Sequence, residues 1–487
     1  MSPSDELVNA CLMPGFLGDR VPGWVTDALG AGLAGVCLYG HNLGAGAEPA
    51  ADRVRSLTDA LQAARPDALV AVDEEGGDVT RLEYLTGSSY PGNLALGVVD
   101  DVALTERVAA AIGADLRRAG VNVDLAPSVD VNSDPRNPVI GVRSFGADAA
   151  AVGRHGVAAV QGLQAAGVAA TAKHFPGHGA TTVDSHLGLP VIDADEETFR
   201  RRDLPPFAAA VGAGVDLVMT SHVVFTALDD APATLSRRLL VDLLRDELGF
   251  TGVVVTDALD MAGVRAAHGI AGAAVRSLAA GADLLLLGAE DGEEHCADVR
   301  RAVEQALRDG QLTEDRLAEA AGRVTALRAR LAAAGSAPAT ADRDAGQVAA
   351  RAALRPRHAQ PLSGPALVVE LRAGANMAVG HAKWSLAEPL DARGLLAGLV
   401  TVGADGPAPE AALAEASGTP VVLVVRDAYR SAWQRDWLQR AVAARPDATV
   451  VALGMPDDLD LVSGPALATH GAARVLTEAA ADLLAGR

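Results

Sequence analysis

Cysteine is almost missing from this chain: Cys11, Cys37 and Cys296 are the only three in 487 residues. Their number is odd and no two stand in a CxxC pair. A disulfide framework and a thiolate zinc site are therefore not expected, and buried thiols in a reducing compartment are. Aromatic residues are scarce too, at 3%, so the core has to be built from small aliphatic side chains. No uninterrupted apolar run approaches the ~20 residues of a membrane span. The opening segment, MSPSDELVNACLMPGF, shows no basic stretch followed by an apolar one and does not read as a secretory leader. Positive charge is in deficit, the formal net charge being −21. That argues against nucleic acid or an anionic membrane as partner. A soluble, cytoplasmic protein is the expectation.

What is present is a rhythm. Short apolar runs at 8–13, 35–39, 68–72, 121–125, 168–172, 217–220, 253–256 and 282–287 alternate with Ala- and Leu-rich helical stretches such as 50–64, 104–119 and 235–248. Runs that are apolar throughout, rather than alternating, suit parallel strands covered on both faces. Eight of them separated by helices predict an α/β protein with a (β/α)8 TIM-type barrel over residues 1–335. A doubly wound open sheet is the alternative. No GxGxxG opens a helix after the first strand, so a dinucleotide is not expected, nor is any other cofactor. The small-residue stretch AGSAPATADRDAG sits in a linker placed at 336–361. Strand-like runs at 366–371, 421–425 and 449–453, with a helix at 430–444, predict a smaller α/β domain over 362–487.

In a parallel barrel, reactive groups gather at the C-terminal ends of the strands. Here the third run ends in Asp73-Glu74-Glu75-Gly76-Gly77, with Arg81 close behind. The fourth leads into Asp130 and then the 137–146 segment carrying Arg143. The fifth ends in Lys173-His174, the sixth in Ser221-His222 and the seventh in Asp257. Five successive ends of this kind describe a polar pocket at one mouth. Asp257 reads equally well as a nucleophile or base and as a cap on the next helix; Asp260, one turn on, reads as a solvated face residue. Lys173 to His186 spells KHFPGHGATTVDSH, which puts Lys and His at a strand end, then a flexible loop with Gly177 and Gly179, then Asp184 and His186. A carboxylate and an imidazole two residues apart can form a proton-transfer dyad. His174, His178, Asp184 and His186 could alternatively hold zinc, but they lack the regular spacing of a metal motif and Lys173 would add a repelling cation. No metal is expected.

These segments, with VDEEGGDVTR, VNVDLAPSVDV, NPVIGVRSFG and GVVVTDALDM in order, resemble the β-N-acetylglucosaminidase branch of the family 3 glycoside hydrolases, from about residue 7 to about 330. The resemblance implies a retaining exo-β-N-acetylglucosaminidase acting on cell-wall muropeptides or chitin-type oligosaccharides. It implies Asp257 as nucleophile, His186 as acid/base with Asp184 as its partner, and Asp73, Arg81, Arg143, Lys173 and His174 as the sugar-binding set. It leaves open a phosphorylase, since a neutral His would not repel phosphate, and the oligomeric state. A β-glucosidase is disfavoured, because such relatives usually lack the KHFPGHG…DSH loop. A catalytically silent sugar-binding protein would have lost the nucleophile or the dyad, and neither is lost. Asp78 departs from the family pattern, standing where many relatives have a basic residue; Glu74 and Val142 depart as well. All three put pocket charge and the leaving-group side in doubt. Trp433 and Trp437, four apart on a helix, read as core rather than sugar platforms.

Overall fold

A computed structural model describes residues 3–43, 50–183, 188–333, 342–372, 384–414, 416 and 418–487. Eight short parallel strands form its first part: β1 (Leu12–Pro14), β2 (Gly35–Cys37), β3 (Leu69–Val72), β4 (Val123–Asp124), β5 (Ala169–Phe175), β6 (Leu217–Thr220), β7 (Val253–Val255) and β8 (Leu285–Leu287). Strands β2 to β7 lie side by side in chain order in one sheet, and β8 pairs with β1 in another. A single parallel bridge between Val255 and Leu284 links the two. The result is an arc of parallel strands with helices outside it, an α/β fold.

Every residue of these eight strands is buried, which is why they read as unbroken apolar runs. Alternate side chains go to different cores, as the two-residue period of a strand requires. Met13, Cys37, Leu69, Ala71, Val123, Leu217, Val253, Val255 and Leu286 share one cluster. Their neighbours Leu12, Val36, Val70, Val72, Val218, Val254, Leu285 and Leu287 pack into the larger cluster with the helices. Ala, Val and Leu suffice because adjacent strands and helices close tightly over small side chains.

All eight runs picked from the sequence overlap a strand, but several bounds move. The first run begins within a helix (Pro3–Asn9) and its strand is only Leu12–Pro14. The helix expected at 235–248 is π-helical over Arg238–Glu247. Residues 343–357, inside the stretch read as a linker, hold a helix (Arg343–Ala353) and a strand, β9 (Arg355–Arg357).

A second sheet has six strands: β9, β10 (Ala366–Leu371), β11 (Leu396–Val402), β12 (Val421–Val425), β13 (Thr449–Ala452) and β14 (Ala466–Ala468), in the order β9-β14-β13-β12-β10-β11. Its edges explain what the sequence hid. β11 alternates between half-buried and exposed residues, with only Val402 at its end buried, and β9 carries a proline, Pro356, on an antiparallel edge where a missing N–H is tolerated. Trp437 is buried and donates its indole N–H to the Pro407 carbonyl at 2.9 Å, and Trp433 packs on the same cluster.

Candidate active site

The C-terminal ends of the first set of strands surround a cavity of about 780 Å³. Asp73, Arg81, Arg143, Lys173, His174 and Asp257 all line it. The sequence-predicted sugar-binding set and the predicted nucleophile are therefore brought together. Asp184 and His186 lie outside the described residues.

The floor is an array of buried ions. The Lys173 ammonium, 1% exposed, donates to Asp73 Oδ1 and meets Glu75 Oε1, each at 2.7 Å. Arg143 grips Glu75 with two parallel bonds, Nε to Oε2 at 2.9 Å and Nη2 to Oε1 at 2.7 Å. Arg81 reaches Asp73 at 3.9 Å. Burial alone would raise the Glu75 carboxyl, but Arg143 and Lys173 outweigh it and hold Glu75 well below the usual carboxylate range. Burial would likewise pull Lys173 down, and Asp73 and Glu75 hold it above its ordinary value. Both stay charged, so Asp73 keeps acceptor capacity and Lys173 and Arg143 keep donors facing the cavity. Such a set suits a ligand rich in hydroxyl and carbonyl groups.

His174 is held from behind. Its Nδ1 lies 2.7 Å from Asp130 Oδ2, while the other Asp130 oxygen accepts from the His178 backbone N–H at 2.7 Å. The other His174 ring nitrogen, Nε2, lies 3.4 Å from Arg143 Nη2. Burial tends to raise Asp130, and the His174 contact more than compensates, keeping it below the ordinary range. Burial and then the neighbouring His174 push the His178 imidazole down to about 4. Among the described residues no group of three or more His, Cys, Asp or Glu is arranged to hold a metal ion.

Asp257 follows β7 and is half-buried, with Oδ1 accepting from the Ala258 N–H at 2.8 Å. The next helix begins only at Ala262 with Met261 as its cap, so the helix-cap reading of Asp257 fails. Asp260 is also corrected. It precedes the helix, lines the cavity, and backs onto the end of β8 so closely that a Cβ on Gly288 would fall 2.0 Å from its carboxylate. His222, read from the sequence as a pocket residue, is fully buried and does not line the cavity. Its Nε2 lies 3.0 Å from the Ala258 carbonyl and its Nδ1 2.8 Å from the Thr234 hydroxyl. It supports the turn that carries Asp257. Gly179 serves close packing rather than looseness, since a Cβ there would sit 1.8 Å from the Val131 carbonyl. Asp78 and Glu74 do not line the cavity either.

Sequence reasoning named Glu75 and Asp130 only among the polar strand ends and His178 only as an alternative zinc ligand, gave none of them a part in sugar binding or catalysis, and left out Tyr39. Glu75 had a usable signal: in extended chain, residues two apart share a face, so Glu75 accompanies Asp73. The contacts of Asp130 and His178 with His174 had none, because a loop and a bend bring the three together.

The sequence profile of the glycosyl hydrolase family 3 N terminal domain matches residues 25–327. The chain is 37% identical over 328 residues to "Beta-hexosaminidase A" of Pseudoalteromonas piscicida, covering 61% of this chain and 54% of that one. It is 35% identical over 293 residues to a "Beta-N-acetylglucosaminidase/beta-glucosidase" of Cellulomonas fimi, covering 58% and 51%. It thus spans about half the length of these two relatives. Among solved structures, a family 3 β-N-acetylglucosaminidase from Paenibacillus sp. str. FPU-7 superposes with a TM-score of 0.89 at 33% identity, covering 100% of this chain and 97% of that one.

Proposed function

Because the chain belongs to glycosyl hydrolase family 3, we propose that it is a retaining exo-β-N-acetylglucosaminidase. Its substrates are terminal β-linked GlcNAc units on cell-wall muropeptide or chitin-type oligosaccharides. The observation that carries this reading is the convergence of Asp257 with the Asp73–Lys173–Glu75–Arg143–His174 array on one cavity. The reading takes the arc of eight strands as a closed (β/α)8 barrel and residues 362–487 as a separate smaller domain.

In the first step Asp257 attacks the anomeric carbon, the C1–O bond breaks, and His186 gives its proton to the departing oxygen. In the second step His186, oriented by Asp184, takes a proton from water, which displaces Asp257 and restores the β configuration. Asp73 accepts from two sugar hydroxyls. Lys173, Arg81 and Arg143 donate to hydroxyl and carbonyl oxygens, and His174 turns one ring nitrogen to the sugar. Their array is assembled before substrate arrives, so little reorganisation is left for the transition state.

A panel of nitrophenyl GlcNAc, glucose and xylose, run with and without phosphate, tests the reading. GlcNAc should be preferred and turnover should not need phosphate. Preference for another sugar overturns the specificity, and dependence on phosphate makes the enzyme a phosphorylase. Asp257→Ala should lower kcat on the order of 10³-fold or more. His186→Ala should hurt poor leaving groups far more than nitrophenolate; equal losses would remove it as the acid.

A further inference from the structure

Asp78 does not enter the cavity, although it lies only three residues before Arg81. Two successive glycines with left-handed backbone, Gly76 (φ +73°) and Gly77 (φ +62°), turn the chain there. A Cβ on Gly77 would fall 2.4 Å from Gly92 Cα. Asp73 and Glu75 meet Lys173 at the cavity while Asp78 faces the second sheet. Its side chain is 1% exposed, with Oδ2 at 2.5 Å from Arg426 Nη2 and Oδ1 accepting the Ala472 N–H at 2.7 Å. Its acidic character thus has a partner 348 positions away that the sequence could not reveal.

The same stretch is gripped again further on. Arg474 donates to Glu83 at 3.0 Å, to the Ser89 hydroxyl at 2.5 Å and to the Gly87 carbonyl at 3.3 Å. The Val475 N–H donates to Ser88 O at 3.2 Å. Within the loop, Glu74 Oε2 accepts from the Arg81 and Leu82 N–H groups at 2.7 and 2.8 Å. Just beyond β12, the Tyr429 hydroxyl donates to the Pro135 carbonyl. Arg426, Asp427, Tyr429 and Arg430 border a cleft against 137–143, the segment that ends in Arg143.

We propose that the 426–430 segment of the second sheet is a positioning element for sugar binding, clamping the 73–92 loop through Asp78 and the 135–143 loop through Tyr429. The proposal rests on the reading that Asp73, Arg81 and Arg143 hold the sugar. Neither loop has a sheet or long helix of its own around these residues. The Glu75–Arg143 pair joins them at the cavity; without a second hold, the freedom left to each loop would be lost at the moment of binding, at an entropic cost that appears in KM. The clamp meets that cost during folding.

The test uses the full chain with Asp78→Asn, Arg426→Gln, the double variant, and Tyr429→Phe, which removes one hydroxyl. Asp78→Asn and Arg426→Gln should each raise KM for nitrophenyl GlcNAc about 5- to 20-fold with kcat changed less than about 3-fold, and the double variant should be no worse than the poorer single one. Tyr429→Phe should raise KM by about 2- to 5-fold. Amide exchange at Arg81 and Leu82 should quicken while that of β3 and β12 stays protected. Unchanged KM and unchanged exchange at these amides overturn the proposal. A uniform rise in exchange through both sheets, or a fall in kcat with KM constant, also overturns it, by making the contact merely stabilising. Because exchange is read without substrate, it tests the clamp even if the wild-type protein fails to cleave GlcNAc, an outcome that sinks only the glycosidase reading.

Discussion

Glu75 is the carboxylate that joins Lys173 to Arg143. It is buried, touches Lys173 once and Arg143 twice, and stays ionised because two cations outweigh the cost of burial. Glu75→Gln keeps the shape and removes the charge, leaving Lys173 with Asp73, and Arg143 with the more distant Asp73 and Asp130. Stability should fall by roughly 3–5 kcal/mol, and KM should rise because both donors lose their fixed directions. Urea denaturation and steady-state kinetics check the two halves; an unchanged KM would mean the pair does not orient sugar. Of this array, Asp73, Lys173, His174, Arg143 and Arg81 were legible as polar residues at strand ends. The bond that organises them, Glu75 to Arg143, joins two loops 68 positions apart and leaves no trace in local pattern.

At the level of elements, the strands were legible because burial on both faces writes a continuous apolar run. Their ends were not, because helix and strand compete over residues of similar hydropathy. The floor opposite the cavity shows a second buried ion cluster. Asp283, just before β8 and fully buried, meets Arg245 at 2.5 Å, Arg316 at 2.7 Å and Arg323 at 3.2 Å, and accepts the Val254 N–H at 2.9 Å. It ties β7 to three helical arginines. Asp283→Ala would leave Arg245 without its carboxylate, Arg316 and Arg323 with Glu319 as their remaining ion-pair partner, and a strand N–H unmet, and should cost about 3–5 kcal/mol. Because the cluster is remote from the cavity, kcat per folded molecule should stay the same. A large loss of kcat with an intact denaturation midpoint would contradict this.

For the whole molecule, pH dependence follows from groups pulled in opposite directions. Burial raises Glu74 and Asp458 to about 7 and also raises Asp124, Asp203 and Asp216, while it lowers His178 and His470 to about 4 and also lowers His155 and His268. As pH falls from 7 towards 4.5, the raised carboxyls bind protons more readily in the fold and add stability. Over about 6.5 to 4, the lowered histidines bind them more readily when unfolded and remove stability. These contributions offset, so stability should change little between pH 7 and about 5. Below the ordinary carboxylate range, about pH 4, Glu75 and Asp130 must be protonated against their partners, and the stability they supply above that range is lost. Denaturant midpoints from pH 8 to 3.5 should show a plateau and then a steep fall. A steep slope already between pH 7 and 5 would refute the balance.

By itself the sequence determined the strands, the mouth they share and the kind of chemistry gathered there, because apolar periodicity and motif order are local properties of the chain. Only the tertiary structure decided which charges neutralise one another. It turned Asp78 away from the pocket towards Arg426, moved Asp260 from a solvated helix face to the cavity wall, and made His222 a buried support rather than a pocket residue. Ion pairing and close packing act through space between residues that may lie hundreds of positions apart, and no local pattern records them.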